Sequence, residues 1–331
     1  MTYKLKQVLA IQSYSYEQFR MFRYIIGELV RLNVDYHVID GNIYAIKGVA
    51  NKYPCIVSHM DTVHAIVEDL TVVEMNGNLT GFNSVTMEQT GIGGDDKVGI
   101  YIALQCLEQV DCIKSVFFRD EEVGCNGSYE ADVSFFSDCR FVLQCDRRGN
   151  KDFITNASGV ALSSESFQHD ILNIIRSYGY KFENGMMTDV MALKELGVEC
   201  SMANISCGYY NPHTAAEYVN IDDVFNTLDM VLSIIHNITD GDYPIKYEPR
   251  VYSWTKIPST TVPKKPSSHS WYFGDEDLGD WYGDTKKNSL EEYIDCEDCG
   301  QPTLEADLDY INELNCIVCT SCSNFYHSYH K

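Results

Sequence analysis

The chain has 331 residues, with 25 Lys and Arg against 48 Asp and Glu, so its formal net charge is −23. This acidity argues against nucleic acid and anionic membranes as main partners, because both repel an acidic surface. Hydrophobic residues make up 45 %, an ordinary value for a chain long enough to bury its own core. No apolar run is long enough for a membrane span, and the first residues lack the apolar stretch of a secretory signal, so we expect a cytoplasmic protein.

The first 240 residues alternate between helical and extended patterns. Apolar residues at helical spacing predict a helix over 16–32, and Asp40-Gly41 between two short β-type runs predicts a hairpin. Further strands are expected at 55–58, 115–118, 141–145 and 201–205, and further helices at 98–107, 170–178, 189–196 and 222–238. Such alternation predicts an α/β fold whose mixed, largely parallel sheet is sandwiched by helices.

Composition divides the chain into three segments. A globular domain is expected over 1–242, an irregular linker rich in Pro, Ser and Thr over 243–290, and a small cysteine-rich module over 291–331. The chain has 13 cysteines, which fall into a scattered group between Cys55 and Cys207 and a dense group over 296–322. The scattered cysteines are typical of buried free thiols in a reducing compartment.

The C-terminal module carries two Cys-x₂-Cys pairs, Cys296/Cys299 and Cys319/Cys322, which are separated by the 19 residues 300–318. Four thiolates on two turns suit one tetrahedral zinc ion, so the spacing predicts a zinc ribbon that needs metal to fold. Cys316 also forms a Cys-x₂-Cys pair with Cys319, and a redox role is the alternative interpretation. The few basic residues favour a protein contact or structural support over nucleic-acid binding.

Five segments of the first domain carry residues that bind metals. They are His59-Met60-Asp61, the Gly-rich loop before Asp95-Asp96, Asp120-Glu121-Glu122, Asp146, and the loop that contains His213. Each also has a purely structural interpretation: a hydrogen-bonded pair at a strand end, a helix N-cap or an exposed acidic loop. Because three of the segments follow apolar strands, we expect their side chains to meet at one sheet edge. Two histidines and three carboxylates would suit a pair of zinc ions.

The order of these motifs resembles the co-catalytic zinc exopeptidase and deacylase family of peptidase T, glutamate carboxypeptidase and succinyl-diaminopimelate desuccinylase. The resemblance covers about residues 14–240 and includes Ser-His-Met-Asp-Thr-Val and Asp-Asp-Lys-Val-Gly. It implies that two zinc ions are bound by His59, Asp95, Glu122, Asp146 and His213, with Asp95 as the bridge. It also implies that Asp61 clamps the His59 ring, that Glu121 is the general base and acid, and that the Asp95–Asp96 peptide bond is cis.

The activity that this resemblance implies is zinc-dependent hydrolysis of a peptide or amide bond in small peptides or N-acyl amino acids. The alternative is a non-catalytic zinc-binding protein that kept the fold and uses the ribbon as a docking module. Aminopeptidase, dipeptidase and deacylase activities differ in what holds the ends of the substrate, and this stays open at the level of sequence.

The chain departs from the family in one respect. Members usually insert a lid or dimerisation domain between the fourth and fifth motifs, whereas the interval from Asp146 to His213 is too short for one. A lid histidine that stabilises the oxyanion would need a replacement, for which His169, Tyr209 and Tyr210 are considered, although a structural role is favoured for each. Residues 185–189 resemble a Gly-Thr-Asp segment near the family's substrate pocket, but a Met pair before a helix favours a place in the core.

Overall fold

The computed structural model describes residues 2–239, 241–247, 293–295, 302–304, 308–311, 316–320 and 322–323. The helices in these residues are α1 (Thr2–Ala10), α2 (Phe19–Arg31), α3 (Gly94–Gln109), α4 (Asn126–Tyr129), α5 (Glu165–Ser177), α6 (Asp189–Glu195) and α7 (Ile221–Asn237), with a 3₁₀ turn over Val133–Phe136. The strands up to residue 118 are β1 (Asp35–Ile39), β2 (Asn42–Lys47), β3 (Tyr53–His59), β4 (Leu70–Met75), β5 (Asn78–Asn83), β6 (Gln89–Thr90) and β7 (Ile113–Phe118). The later strands are β8 (Cys139–Arg147), β9 (Asp152–Ala157), β10 (Val160–Ala161), β11 (Lys181–Gly185), β12 (Ser201–Ser206), β13 (Tyr209–Tyr210), β14 (Tyr218–Asn220), β15 (Tyr293–Asp295), β16 (Pro302–Leu304), β17 (Leu308–Ile311) and β18 (Cys316–Cys319).

The main sheet has the order β1-β2-β7-β3-β8-β12-β9-β10, and β11 pairs with β9. Its centre, β7-β3-β8-β12, is parallel, while β1, β2 and β10 pair antiparallel at the flanks. Every residue of β3 and β7 is buried, as expected for parallel strands covered on both faces. The predicted α/β fold with a mixed, largely parallel sheet between helices is therefore confirmed.

The predicted elements match the structure closely because each has a strong local signal. Asp40 and Gly41 both have positive φ, 50° and 76°, which is the backbone that a two-residue hairpin turn between β1 and β2 requires. Helix α2 buries one apolar stripe, which includes Phe22 and Ile25. Helix α3 is buried on almost every side, because it packs between the sheet, α1 and α7.

A second, smaller sheet has the order β13-β14-β5-β4, with β6 beside β5. Neither this sheet nor α1 follows from the sequence reasoning above. Strand β4 is mostly exposed, and β5 has the mixed composition Asn-Leu-Thr-Gly-Phe-Asn, so neither strand has a long apolar signal. The sheet matters for function because the loop between β13 and β14 contains His213.

The interval from Asp146 to His213 is described throughout and holds no separate inserted domain. It forms the end of β8, then β9, β10, α5, β11, α6 and β12, all of which belong to or cover the main sheet, and then β13. In the described part of the chain, no helix is both long and apolar enough to cross a membrane.

The scattered cysteines of the first domain are free thiols, and all of them except the partly exposed Cys112 are buried. The first residues of the predicted linker pack on the domain. Tyr243 is buried, and Pro244 forms an isolated antiparallel β-bridge with Cys200. Residues 248–290 lie outside the described residues.

Only part of the predicted ribbon is described. Strands β15 and β16 form one antiparallel pair, and β17 and β18 form another. Cys319 ends β18, and the buried Cys322 accepts a hydrogen bond from Arg23 on α2 at 3.7 Å. Cys296 and Cys299 lie outside the described residues, so the zinc ribbon stays a prediction.

Candidate metal centre

The predicted ligands meet at the carboxyl ends of the four central parallel strands. His59 is the last residue of β3, Asp146 lies near the end of β8, Glu121 and Glu122 follow β7, Asp95 lies in the first turn of α3, and His213 lies between β13 and β14. Parallel strands deliver their carboxyl ends to one edge, which explains how residues distant in sequence come together.

The first group of potential ligands consists of His59, Asp95 and Asp146. The His59 Nε2 atom lies 3.4 Å from Asp95 Oδ1 and 3.6 Å from Asp146 Oδ1. This nitrogen is buried and has no hydrogen-bond partner within the described part of the protein. A buried imidazole nitrogen without a partner, facing two carboxylates, is the arrangement that a cation would complete.

The second group consists of Asp95, Glu122 and His213. The His213 Nε2 atom lies 3.3 Å from Asp95 Oδ2 and 3.2 Å from Glu122 Oε2. Asp95 therefore directs one carboxylate oxygen to each group, as a bridging ligand would. The Asp95–Asp96 peptide bond is cis, as the resemblance implied.

The donor set of both groups fits zinc. Imidazole nitrogen and carboxylate oxygen are common zinc ligands, and the ligand atoms of each group lie within 4.8 Å of one another. A third cluster, of Glu121, Cys125 and Asp189, lies beside these groups. It includes the predicted general base, which therefore borders the metal-ligand groups without belonging to them.

Asp61 organises this edge of the sheet in two ways. The His59 Nδ1 atom lies 3.0 Å from the backbone carbonyl oxygen of Asp61 and 3.4 Å from its carboxylate, so the closer contact to the ring is the carbonyl. The buried carboxylate accepts a hydrogen bond from Ser15 Oγ at 2.8 Å. It also accepts the backbone N–H groups of Glu121 at 2.9 Å and Glu122 at 3.2 Å. Asp61 thus ties the turn after β7 to the end of β3.

Glu121 lies where a general base is expected. Its Oε2 atom is 3.9 Å from His59 Nε2, and its Oε1 accepts a hydrogen bond from the Cys125 thiol at 3.4 Å. Burial, reinforced by the negative charges of Asp95 and Asp61, raises the pKa of Glu121 above its ordinary value, although His59 opposes the shift. A carboxylate with a raised pKa holds a proton more readily at neutral pH, which suits a group that shuttles one.

The cluster has an excess of buried negative charge, which shifts the pKa values of its members. Burial and the neighbouring Asp95 raise the pKa of Glu122 to about 8, and the same two causes raise the pKa of Asp146 well above its ordinary value. The carboxylate of Asp95 raises the pKa of His213 to about 9. The neighbouring imidazoles of His213 and His59 outweigh burial and lower the pKa of Asp95. These shifts follow from several acids packed into one buried site, an arrangement that bound cations would stabilise.

Glu217 is a site residue to which the sequence reasoning assigned no role. Its side chain is fully buried and accepts hydrogen bonds from the backbone N–H groups of Gly93 at 2.7 Å and Asp95 at 3.3 Å. His64 Nε2 lies 2.8 Å from the same carboxylate. The sequence signal that could have pointed to Glu217 is its place in a short loop, four positions after His213. Glu217 links that loop to the backbone that carries the bridging Asp95.

Polar neighbours also fix Asp146. Asn204 accepts the backbone N–H of Asp146 at 3.0 Å and donates to its carbonyl at 2.8 Å. The Tyr209 hydroxyl donates to its carboxylate at 3.3 Å. Of the three residues considered as replacements for a lid histidine, only Tyr209 contacts a predicted ligand, because the exposed His169 bonds to Asp170 and Tyr210 bonds to Asp223.

A cavity of about 430 Å³ opens over the two ligand groups. It is lined by Asp95, Glu121, Glu122, Asp146, Arg147, Arg148, Ile154, Gly185, Met186, Met187, Thr188, Asn204, Tyr209, Pro212 and His213. The favoured core interpretation of the Met pair is wrong, because Met186 is 79 % exposed and Met187 52 % exposed. The two side chains form an apolar wall of the cavity.

Comparison with known proteins identifies the fold. No protein-family profile and no curated protein matches the chain, whereas many solved structures do. It is similar to the aminopeptidase PepT from Bacillus cereus (11 % identity, TM-score 0.60), covering 72 % of this chain and 98 % of that one. It is similar to a tripeptidase from Staphylococcus aureus (12 %, TM-score 0.57; 71 % and 96 % covered). An aminopeptidase from the archaeon Desulfurococcus kamchatkensis matches at 13 % identity (TM-score 0.54; 70 % and 93 % covered). The chain therefore shares the fold of these peptidases.

Proposed function

We propose that this protein is a metal-dependent hydrolase of peptide or amide bonds in small peptides or N-acyl amino acids, with two zinc ions at the centre. The observation that carries this proposal is the placement of Asp95, whose two oxygens face two separate histidine-containing ligand groups beside Glu121. The fold shared with solved aminopeptidases and a tripeptidase supports it.

Two sets of residues would hold the metal ions. His59, Asp95 and Asp146 form one set, and Asp95, Glu122 and His213 form the other. Zinc ions bound there would supply a water activated at neutral pH and would polarise the scissile carbonyl.

The chain's own residues perform the proton transfer. Glu121 accepts the proton of the attacking water and returns it to the leaving nitrogen, which its raised pKa and its position beside both ligand groups favour. The Cys125 thiol bonds to one Glu121 oxygen and leaves the other directed towards His59. The Asp61 carboxylate accepts the backbone N–H of Glu121, which fixes the position of the base beside the ligands.

Substitution of Glu121 by Gln tests the proposal. We expect Glu121→Gln to retain its metal and to lose turnover by roughly 10²- to 10⁴-fold, because the amide cannot accept the proton. The measurement is hydrolysis of a panel of dipeptides and N-acyl amino acids with zinc, cobalt or manganese, together with metal content by elemental analysis. Glu88→Gln, which changes an exposed carboxylate in the loop between β5 and β6, is the matched control.

Two results would contradict the proposal at different points. Wild-type turnover in Glu121→Gln would show that the role of this residue is misassigned. Metal-loaded wild-type protein that hydrolyses none of the panel would favour the binding protein over the enzyme.

A further inference from the structure

Arg148 lines the cavity with an unused positive charge. It follows β8 directly, two positions after Asp146, and is exposed. Its side chain makes no ion pair or hydrogen bond with any residue that the structure describes, whereas its neighbour Arg147 donates to Asp152 at 3.0 Å. The Arg147 guanidinium is therefore neutralised by Asp152, whereas the Arg148 guanidinium can pair with a bound ligand.

The negative charges of the cavity are already committed. Its lining carboxylates, among the residues described, are Asp95, Glu121, Glu122 and Asp146, each of which belongs to a ligand group or is the proposed base. No further carboxylate remains there to pair with the free amino group of a substrate. The cavity thus offers a spare cation and no spare anion, which favours a substrate that presents a carboxylate.

We propose that Arg148 binds the α-carboxylate of the leaving amino acid, so that the preferred substrates are dipeptides, N-acyl amino acids and free peptide C-termini. This inference rests on the proposed function and adds what that function leaves open, namely which end of the substrate is held. A planar guanidinium pairs with a carboxylate through two parallel hydrogen bonds, which gives both charge and orientation.

The spacing of the chain agrees with this assignment. Asp146 and Arg148 are two positions apart, so their Cα atoms are at most about 7 Å from each other. The α-carboxylate of an amino acid that follows the scissile bond lies within about one residue length, roughly 3.8 Å, of that bond. A flexible arginine side chain is long enough to span the remaining distance between the Arg148 backbone and this carboxylate. Met186 and Met187 offer apolar surface in the same cavity, so an apolar leaving residue such as leucine is the suitable probe.

The test compares a substrate with its C-terminal amide in the zinc-loaded full chain. We expect wild-type kcat/KM for Ala-Leu to exceed that for Ala-Leu-amide by roughly 10- to 100-fold, the range of a charge-assisted hydrogen bond. Arg148→Gln should lower kcat/KM for the acid to the value for the amide and leave the amide unchanged. Arg148→Lys should keep part of the preference for the acid, because lysine retains the positive charge. It should lose the rest, because an ammonium group lacks the planar fork of the guanidinium. Arg176→Gln, which removes an exposed arginine on α5, should keep all of it.

A binding measurement separates this inference from the proposed function. Calorimetry with N-acetyl-leucine and N-acetyl-leucinamide should show that Arg148→Gln weakens binding of the acid alone, whether or not any peptide is hydrolysed. Hydrolysis with equal kcat/KM for acid and amide, or an unchanged preference in Arg148→Gln, would overturn the inference while the hydrolase stands. If no peptide is hydrolysed, equal binding of the acid by wild type and Arg148→Gln overturns it.

Discussion

Glu217 accepts three hydrogen bonds although no part of its side chain reaches solvent. Burial of a carboxylate is costly unless its oxygens accept hydrogen bonds, and the three bonds to Glu217 offset that cost. It bonds to the backbone of Gly93 and Asp95, which fixes the direction of the Asp95 carboxylate. Residues that orient ligands in this way contribute to metal affinity without touching the metal.

Removal of this carboxylate should loosen the metal centre. We expect Glu217→Ala to lower zinc affinity by roughly 10- to 100-fold, since the backbone at Asp95 loses its acceptor. Glu217→Gln should lose less, because its amide oxygen still accepts one of the two N–H groups. Affinity is measured by competition with a chromophoric chelator, and Glu88→Ala serves as the control. Unchanged affinity in Glu217→Ala would show that Asp95 is held by other contacts.

The proximity of the predicted ligand residues could be expected from the sequence, whereas the contacts that hold them in place could not. His59 and Glu122 follow buried apolar strands, and together with the other acids they suggest one shared site at the sheet edge. The contact of the His59 ring with a backbone carbonyl leaves no trace in the side-chain pattern. The exposure of Met186 was likewise hidden, because an apolar residue before a helix has the same local pattern on a cavity wall as in a core.

Elements with a strong local period were predicted well, and weakly patterned ones were not. The central strands are short apolar runs followed by predicted ligand residues, so their position in the sheet follows from sequence. Strands β4 and β5 are held by pairing with each other and with β14, which is a tertiary property. The loop that presents His213 therefore could not be placed before the second sheet was known.

The last turn of helix α6 contains a buried lysine that contacts three other parts of the chain. Lys194 is fully buried, and its Nζ donates to the carbonyls of Val198 at 2.8 Å, Cys200 at 2.8 Å and Ile245 at 3.0 Å. One ammonium group thus joins the helix, the approach to β12 and the segment that follows α7.

Loss of this ammonium should destabilise the fold. We expect Lys194→Met to lower the free energy of unfolding by about 3 kcal/mol, because three carbonyls lose their buried donor. Urea denaturation followed by circular dichroism gives the value. The exposed Lys151→Met should change it by less than about 0.5 kcal/mol. Equal stability of the two variants would contradict the proposed clamp.

The molecule as a whole concentrates unbalanced acid at one edge of its sheet. Burial is the main cause that raises the pKa of Glu122 to about 8 and the pKa of Asp189 to about 7. The Asp95 carboxylate raises the pKa of His213 to about 9. A raised pKa in the folded state contributes stability at low pH that is lost as pH rises through the folded value. The three groups act in the same direction between about pH 5 and pH 9.

Metal-free protein should therefore become less stable across neutral pH. We expect its melting temperature to be lower at about pH 8 than at about pH 6, because the folded state must release protons that it holds more tightly than the unfolded chain. Excess zinc should raise the melting temperature more at the higher pH, since the ligands must be deprotonated to bind it. Differential scanning fluorimetry with and without a chelator measures both. A metal-free melting temperature that rises over this range would contradict the assigned pKa shifts.

The two histidines differ sharply in their access to solvent. The His59 side chain is 0 % exposed at the end of a central strand, whereas that of His213 is 51 % exposed in a loop between two short strands. In the proposed centre, the outer ion would exchange directly with the medium, and the inner ion would leave only after the outer one. Filling and emptying of the site would then be ordered, and a partly stripped molecule would keep its inner ion while having lost the outer one.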